Sequence, residues 1–395
     1  MSDVGFTTEQ LEARDWAREF ARRSVAPRAL ELDADPESPV RDQLLVEAAS
    51  AGVLGMSLPE AFGGAGMDPV ATALATEEIA AACSGCAVLF GATTLGLLPV
   101  LLSFDFSAIE RFVQPIVRSW DTDTPQSAAL AATEPEMGSD FINGHPEARM
   151  GTRVRRTDGG YRIDGRKVFI SNGSLASVVT VFGRLGEGPL REDIVCLAVP
   201  TDTPGFSVGS VFDKMGQRAC PAAELVFDEV EVPADHLLGA EGAGWQLNRM
   251  VMSMTRAPVG AIATGVARSA YEQALTYAEA RVQGGRPIVG HQVVQTLLAD
   301  MAIRVAAARH LVLDAVRSIA SGKPDLKLSS MAKTFASDAA VANATDAIQI
   351  LGGYGYMREY GVEKLLRDAK LTQIYEGTNQ INRFEIMEMV AAERA

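Results

Sequence analysis

The chain has 395 residues, 47% hydrophobic and 22% charged, with 36 Lys and Arg against 50 Asp and Glu for a formal charge of −14. That length allows two or three domains around sizeable cores. The acidic balance argues against phosphate backbones and anionic membrane surfaces as partners, so no nucleic acid and no membrane are expected.

Residues 1–125 read as an N-terminal α-helical domain. The opening MSDVGFTTEQ lacks the basic and apolar regions of a signal peptide. Thr7 and Gln10 have the Thr-x-x-Gln form of a capping box, and Leu11, Trp16, Phe20 and Val25 follow at roughly helical spacing. The Gly- and Pro-rich segment 58–69 predicts a loop, with the next helix starting near Pro69. Residues 79–104 carry no charge, but Pro99 interrupts them and Glu77, Glu78 and Asp105 flank them, which predicts a buried helix or helix pair. Cys83 and Cys86 form a C-x-x-C with no second pair and no nearby His, and read as buried small residues. With Cys196 and Cys220 they are the only cysteines, the usage of a reduced, cytoplasmic protein.

Residues 126–235 change texture. YRIDGRKVFIS alternates like a strand and is broken at Asp164-Gly165, a hairpin-turn signal, while TDGG at 157–160 marks another turn. VVTVFGRL, IVCLAVP and AELVFDEVEVP are short β-branched runs between Gly, Pro and Asp. They predict a middle antiparallel β-barrel or sandwich domain of about seven strands. Residues 236–395 return to long helical stretches with short links, and Gly352-Gly353 fits a helix end, so a C-terminal four-helix bundle is expected. The fold class is α+β and multidomain, in the order α, β, α.

Several chemistries lack their residues. There is no G-x-S-x-G, G-K-[ST] or H-E-x-x-H, and the four histidines are scattered, so no metal site is expected. GGYGYM and GAGWQL miss the G-x-G-x-x-G spacing and no βαβ unit frames them, which disfavours a nicotinamide enzyme. What remains suits a large anionic ligand. TEPEMGSD at 133–140 offers hydroxyls and flexible backbone, KVFISNG at 167–173 puts Phe169 two residues before Ser171, and RVQGGRPI at 281–288 sets Arg281 beside a glycine loop.

Together these segments carry a resemblance. AATEPEMGSD, GRKVFISNG, DKMGQR, VPADHLLGAEGAGW, ARVQGGRPIVGHQVVQ, AIQILGGYGY and RDAKLTQIYEGTNQINR stand in collinear order over essentially the whole chain, which resembles the acyl-CoA dehydrogenase family. The resemblance implies FAD between the β-domain and the bundle, and a homo-oligomer, expected to be a tetramer built as a dimer of dimers. It implies cofactor contacts from Leu130, Thr133, Gly138, Ser139, Phe169, Ile170 and Ser171, with Phe169 against the isoalloxazine where many members carry Trp. Arg281, Gln292, Gln349, Gly352 and Gly353 would reach the FAD of a neighbouring subunit, and Thr378 and Gln380 would follow the catalytic loop onto the cofactor. Ser139, Arg256 and Gly377 are implied at the thioester substrate. One departure stands out: the R-x-x-F-G loop of the family reads Arg281-Val282-Gln283-Gly284-Gly285 here, without the aromatic.

α,β-Dehydrogenation of a thioester needs a base beside a weakly acidic Cα proton and donors on the carbonyl oxygen. Some members place that base on the long helix near Arg256, but residues 242–271 contain no Asp or Glu. Glu376, followed by Gly377, is therefore the expected base, its pKa raised by burial. The expected function is dehydrogenation of an acyl-CoA with electrons passed to an electron-transfer flavoprotein. The alternatives are a carrier-protein-bound acyl thioester, an acyl-CoA oxidase using O₂, and a flavin-binding member without dehydrogenation. Glu in place of Asp counts against nitroalkane oxidation.

Overall fold

The computed structural model describes residues 5–142, 144–145 and 147–394. Helices of eleven residues or more are numbered below. In the N-terminal region α1 (Thr8–Phe20) starts with the reciprocal capping box: Thr7 Oγ1 accepts the Gln10 N–H and Gln10 Oε1 accepts the Thr7 N–H. α2 (Val40–Ser50) follows, then α3 (Pro69–Leu102), N-capped by Asp68. The uncharged tract is thus one helix with a kink, where Cys83 leaves helical geometry (φ −160°, ψ 110°). α3 is long and apolar enough to cross a bilayer, yet 72% of its most apolar window is buried inside the fold. Cys83 and Cys86 are both buried free thiols on it.

Seven strands form the middle sheet: β1 (Ser127–Ala131), β2 (Arg153–Thr157), β3 (Gly160–Ser171), β4 (Ala176–Arg184), β5 (Ile194–Pro200), β6 (Phe206–Val211) and β7 (Ala222–Pro233). The order is β1-β4-β2-β3-β7-β6, with β5 also on β4. Pairing is antiparallel except where β4 meets β1 and β2. The TDGG turn joins β2 to β3, closed by Thr157 opposite Gly160. The hairpin expected at Asp164-Gly165 is absent, because β3 runs straight through it. The pair sits instead opposite a bulge in β7, where Asp228 and Glu229 face Asp164 alone and Glu229 is left-handed (φ +52°). Asp164 Oδ1 accepts the Glu229 N–H (3.0 Å), and a Cβ at Gly165 would lie 2.6 Å from Thr152 Cα. A Gly is required there by close backbone approach, not by a turn.

The C-terminal region contains α4 (Gly244–Ala280), α5 (Gln292–Ala320), α6 (Leu326–Leu351), α7 (Val362–Thr372) and α8 (Asn379–Ala392). α4 and α6 meet through small side chains, among them Ala257, Ala261, Ala332, Ala336 and Ala340, which lets their backbones come close. Asp368 on α7 ties the three regions together. Its carboxylate accepts Ser84 Oγ from α3 (2.9 Å), the Gln217 N–H from DKMGQR (2.6 Å) and Lys364 Nζ (2.5 Å). Gly216 in the same segment has no room for a Cβ, which would fall 2.3 Å from the Arg367 backbone. The end of α7, and hence the loop after it, is fixed against both the first helical region and the sheet.

Candidate active site

The loop from Gln373 to Thr378 joins α7 to α8. Two successive residues in it are left-handed, Glu376 (φ +55°) and Gly377 (φ +85°). That conformation costs a non-glycine residue about 1 kcal/mol or more, so something must hold Glu376 there. Arg256 Nε on α4 donates to the Glu376 carbonyl (3.0 Å). Lys333 Nζ on α6 and Asn382 Nδ2 on α8 both donate to the Gly377 carbonyl (2.7 Å each). Thr378 Oγ1 caps α8 by accepting the Ile381 N–H (3.3 Å). A Cβ on Gly377 would stand 3.1 Å from Arg256 Nη2 and 3.0 Å from Ile381 Cγ2, which leaves glycine as the residue that fits.

The Glu376 carboxyl points back at α4, where Oε2 accepts the Thr255 hydroxyl (2.7 Å). Burial pushes its pKa above the ordinary carboxylate range, against the pull of the Thr255 hydroxyl, Arg256 and Lys333. Arg256 is wholly buried. Its Nη1 meets Ser330 Oγ (2.7 Å) and Glu385 Oε2 (2.7 Å), while Nη2 has no hydrogen-bond partner. It holds the Glu376 loop from behind, through the Glu376 carbonyl. Beside this cluster Leu98, Val251 and Met252 pack with Leu95, Leu102, Leu130 and Met254, joining α3, β1 and α4 into an apolar lining.

The middle region brings its own residues to the same place. Ser139 Oγ lies 3.4 Å from Thr378 Oγ1, so TEPEMGSD abuts the Glu376 loop. Thr133 accepts the Val168 N–H on its carbonyl (2.9 Å), and Gly138 donates its N–H to Asp140 Oδ1 (2.9 Å). Phe169 is left-handed (φ +61°) and 63% exposed, backed by the Phe212 ring at 4.9 Å. An exposed aromatic on strained backbone is a surface shaped for a flat partner, and FAD fits it. Ile170 faces the sheet core, leaving only its backbone for a ligand, and Ser171 ends β3.

Arg281, Gln292, Gln349, Gly352 and Gly353 lie away from the Glu376 loop. Arg281 follows the last residue of α4, about 37 Å along that helix from Arg256. Its guanidinium sits over the Tyr354 ring (5.5 Å), next to Gly352 and Gly353 at the end of α6. Gln292 and Gln349 are exposed on α5 and α6, and Gln380 is exposed on α8. Gly284 (φ +57°) and Gly285 (φ +80°) form the tip of a two-stranded ribbon, Val282–Gln283 with Arg286–Pro287. The His291 ring lies 3.4 Å from where a Gly284 Cβ would be.

Sequence reasoning missed Thr255, Lys333 and Phe212. Nothing in the chain marks Thr255 or Phe212 as partners of Glu376 and Phe169. Lys333 did leave a trace, since it interrupts a stripe of small residues from Ser329 to Ala340 that could only be a buried face.

Comparison with known proteins gives three matches in succession. Residues 7–119 match the description "Acyl-CoA dehydrogenase, N-terminal domain", residues 129–230 the middle domain and residues 242–391 the C-terminal domain. The chain is 41% identical over 381 residues to an acyl-CoA dehydrogenase of Bacillus subtilis, covering 96% of this chain and 97% of that one. It superposes on butyryl-CoA dehydrogenase of Megasphaera elsdenii with a TM-score of 0.90 at 34% identity, covering 99% and 100% of the two chains. An acyl-CoA dehydrogenase of Bacillus anthracis complexed with FAD gives a TM-score of 0.89 at 28% identity, covering all of this chain and 68% of that one.

Proposed function

The chain belongs to the acyl-CoA dehydrogenase family, and from that premise we propose that Glu376 is the base that removes the α-proton of the acyl thioester. The protein is an FAD-dependent acyl-CoA dehydrogenase, an oxidoreductase acting on CH–CH groups. FAD, when bound, supplies the acceptor for the β-hydride. Phe169, with Thr133 and Ser171 beside it, would hold its ring; Gly138, Ser139 and Thr378 stand where the two segments meet, and Gln380 is exposed at the start of α8.

The observation that carries the reading is the Glu376 loop itself. A carboxylate with a raised pKa is a competent base for a carbon acid near neutral pH. Its backbone is pinned by Arg256, which leaves the Glu376 N–H free to face a thioester oxygen and support the charge that develops there. The Thr255 hydroxyl parks the carboxyl, and the lining from Leu95 to Leu130 excludes water from the acyl chain. Residues 88–102 and 250–254, which contribute to that cluster, contain no Arg or Lys, which favours a simple aliphatic acyl group.

Arg281, Gln292, Gln349, Gly352 and Gly353 serve the FAD of a neighbouring subunit in this reading, as the separation of Arg281 from Arg256 along α4 supports. Exposed apolar side chains on the bundle, Val293, Ile303 and Tyr356, support assembly into a dimer of dimers. Electrons pass to an electron-transfer flavoprotein, and the protein works in the cytoplasm, where its four free thiols stay reduced. A carrier-bound acyl thioester is the other substrate this site would accept, because both share the phosphopantetheine arm.

Anaerobic titration with a panel of acyl-CoAs and acyl carrier proteins, read as flavin bleaching, identifies the substrate. Peroxide release in air separates a dehydrogenase from an oxidase. Glu376→Gln is expected to keep FAD and lose bleaching by about 10²–10⁴-fold. Full bleaching in that variant moves the base elsewhere.

A further inference from the structure

Lys333 sits on the buried face of α6 with none of its surface exposed, between Ala332 and Ala336. A buried ammonium needs acceptors for its protons, and Lys333 has two: the Gly377 carbonyl at 2.7 Å and Asn379 Oδ1 at 2.9 Å. Neither is a carboxylate. A lysine retained in a stripe of alanines without a direct ion-pair partner is expensive unless its charge or its donor is used.

We propose that Lys333 is a positioning residue for the base, its ammonium fixing the Gly377 carbonyl and placing a positive charge next to the Glu376 loop. The inference rests on Glu376 being the base. Arg256 and Lys333 act as a pair: one cation holds the carbonyl before the Glu376–Gly377 bond and the other the carbonyl after it. Asn382 shares the Gly377 oxygen but carries no charge. Lys333 therefore supplies what Asn382 cannot, an electrostatic bias on the base.

The charges facing Lys333 come from every side. Arg256 on α4 opposes its protonation. Glu376 on the loop and Asp338 on α6 favour it, and Arg383 on α8 opposes it while pairing with Asp338 (2.5 Å). α7 turns its Asp368 to Lys364, and α5 pairs Arg304 with Asp346 (2.6 Å), about three and a half turns along α6. Burial first, then Arg256, pushes Lys333 down to about 7. The positive charge is thus present at and below neutral pH and fades above it.

The test compares Lys333→Gln, which keeps an N–H donor without charge, with Lys333→Met, which keeps neither. The infrared carboxyl band of Glu376, assigned by its loss in Glu376→Gln, is titrated in the FAD-loaded protein, and bleaching by an acyl-CoA is followed over the same pH range. Both variants are expected to raise the Glu376 midpoint by about one pH unit, with bleaching about tenfold slower on the acid side. Lys333→Gln should recover the plateau rate that Lys333→Met loses, since its amide can still hold Gly377. A wild-type midpoint and profile in Lys333→Gln overturns the proposal, whether or not Lys333→Met folds. A Glu376→Gln variant that still bleaches overturns the base assignment instead, so the two failures are distinguishable.

Discussion

Arg256 does two separable things, and a double substitution pulls them apart. Arg256→Met removes the guanidinium from the Glu376 carbonyl (3.0 Å), Ser330 Oγ (2.7 Å) and Glu385 Oε2 (2.7 Å). The two charged side chains are 0% and 2% exposed, so the change strands a buried carboxylate. Breaking such a pair costs about 3–5 kcal/mol. Arg249, 3.2 Å from Glu385 Oε1, offsets part of that, which puts the expected loss near the lower bound, about 3 kcal/mol. Adding Glu385→Leu removes the stranded charge and should return all but about 1 kcal/mol, the remaining loss being the unpaired Glu376 carbonyl. Catalysis should not follow. The loop has lost its Arg256 donor in both variants, and a displacement of about 1 Å at the reacting group can cost on the order of 100-fold. Urea unfolding reads the first quantity and anaerobic flavin bleaching the second. If the double variant regains bleaching together with stability, Arg256 serves only to neutralise Glu385, and its role in orienting the loop is wrong.

Three other outcomes follow from the same geometry. Glu376 has a folded pKa raised by burial, so its stabilising contribution is complete at acid pH and is lost as pH rises through the folded value; Glu376→Gln should therefore melt above wild type near neutral pH, by differential scanning calorimetry, and a lower melting point counts against the buried charge. Phe169→Gly relieves a left-handed Phe, worth about 1 kcal/mol, so the apoprotein should gain stability in urea while FAD dissociates more readily by fluorescence titration; unchanged FAD affinity removes Phe169 from the cofactor site. Lys333, held near 7 in the fold against an ordinary value of 10.5, takes up its proton in the unfolded chain first, so stability rises with pH between those values. Wild type should therefore gain on Lys333→Gln by a few kcal/mol from about pH 6.5 to about pH 9.5, and a pH-independent gap would mean that Lys333 stays charged.

Short-range signals were legible because their physics is short-range. The Thr7–Gln10 box, the TDGG turn and the β-branched runs each depend on neighbours within a few residues, and each appears in the fold. Glu376 was singled out for a different reason: the helix around Arg256 offers no competing carboxylate over 242–271. Asp164-Gly165 misled because a turn dipeptide and a bulge position ask for the same residues, and the difference lies in β7, where Glu229 is the extra residue. The Thr255–Glu376 bond spans 121 positions and depends on how α4 turns its face to the loop, which no local pattern encodes. The Asp368 hub is similar, collecting Ser84, Gln217 and Lys364 from three regions of the chain.

With Glu376 as the proposed base, the strained loop and the cations that hold it are one arrangement. Holding Glu376 left-handed costs about 1–2 kcal/mol, and charge-assisted bonds from Arg256 and Lys333, at about 1.5–3 kcal/mol each, exceed that cost. Uncharged donors alone could hold the loop, as Asn382 already helps to do. They would leave burial unopposed, and a carboxyl raised too far would keep its proton at the pH where it must accept one. Cations correct this, but one of them, Lys333, is buried so completely that it loses its own proton near neutrality. As Lys333 loses its charge, one of the charges that oppose the effect of burial on Glu376 is removed. The Lys333 charge is fullest on the acid side, so Lys333→Gln should lose rate mainly there and match wild type on the alkaline side, and a loss equal at every pH would refute the electrostatic bias.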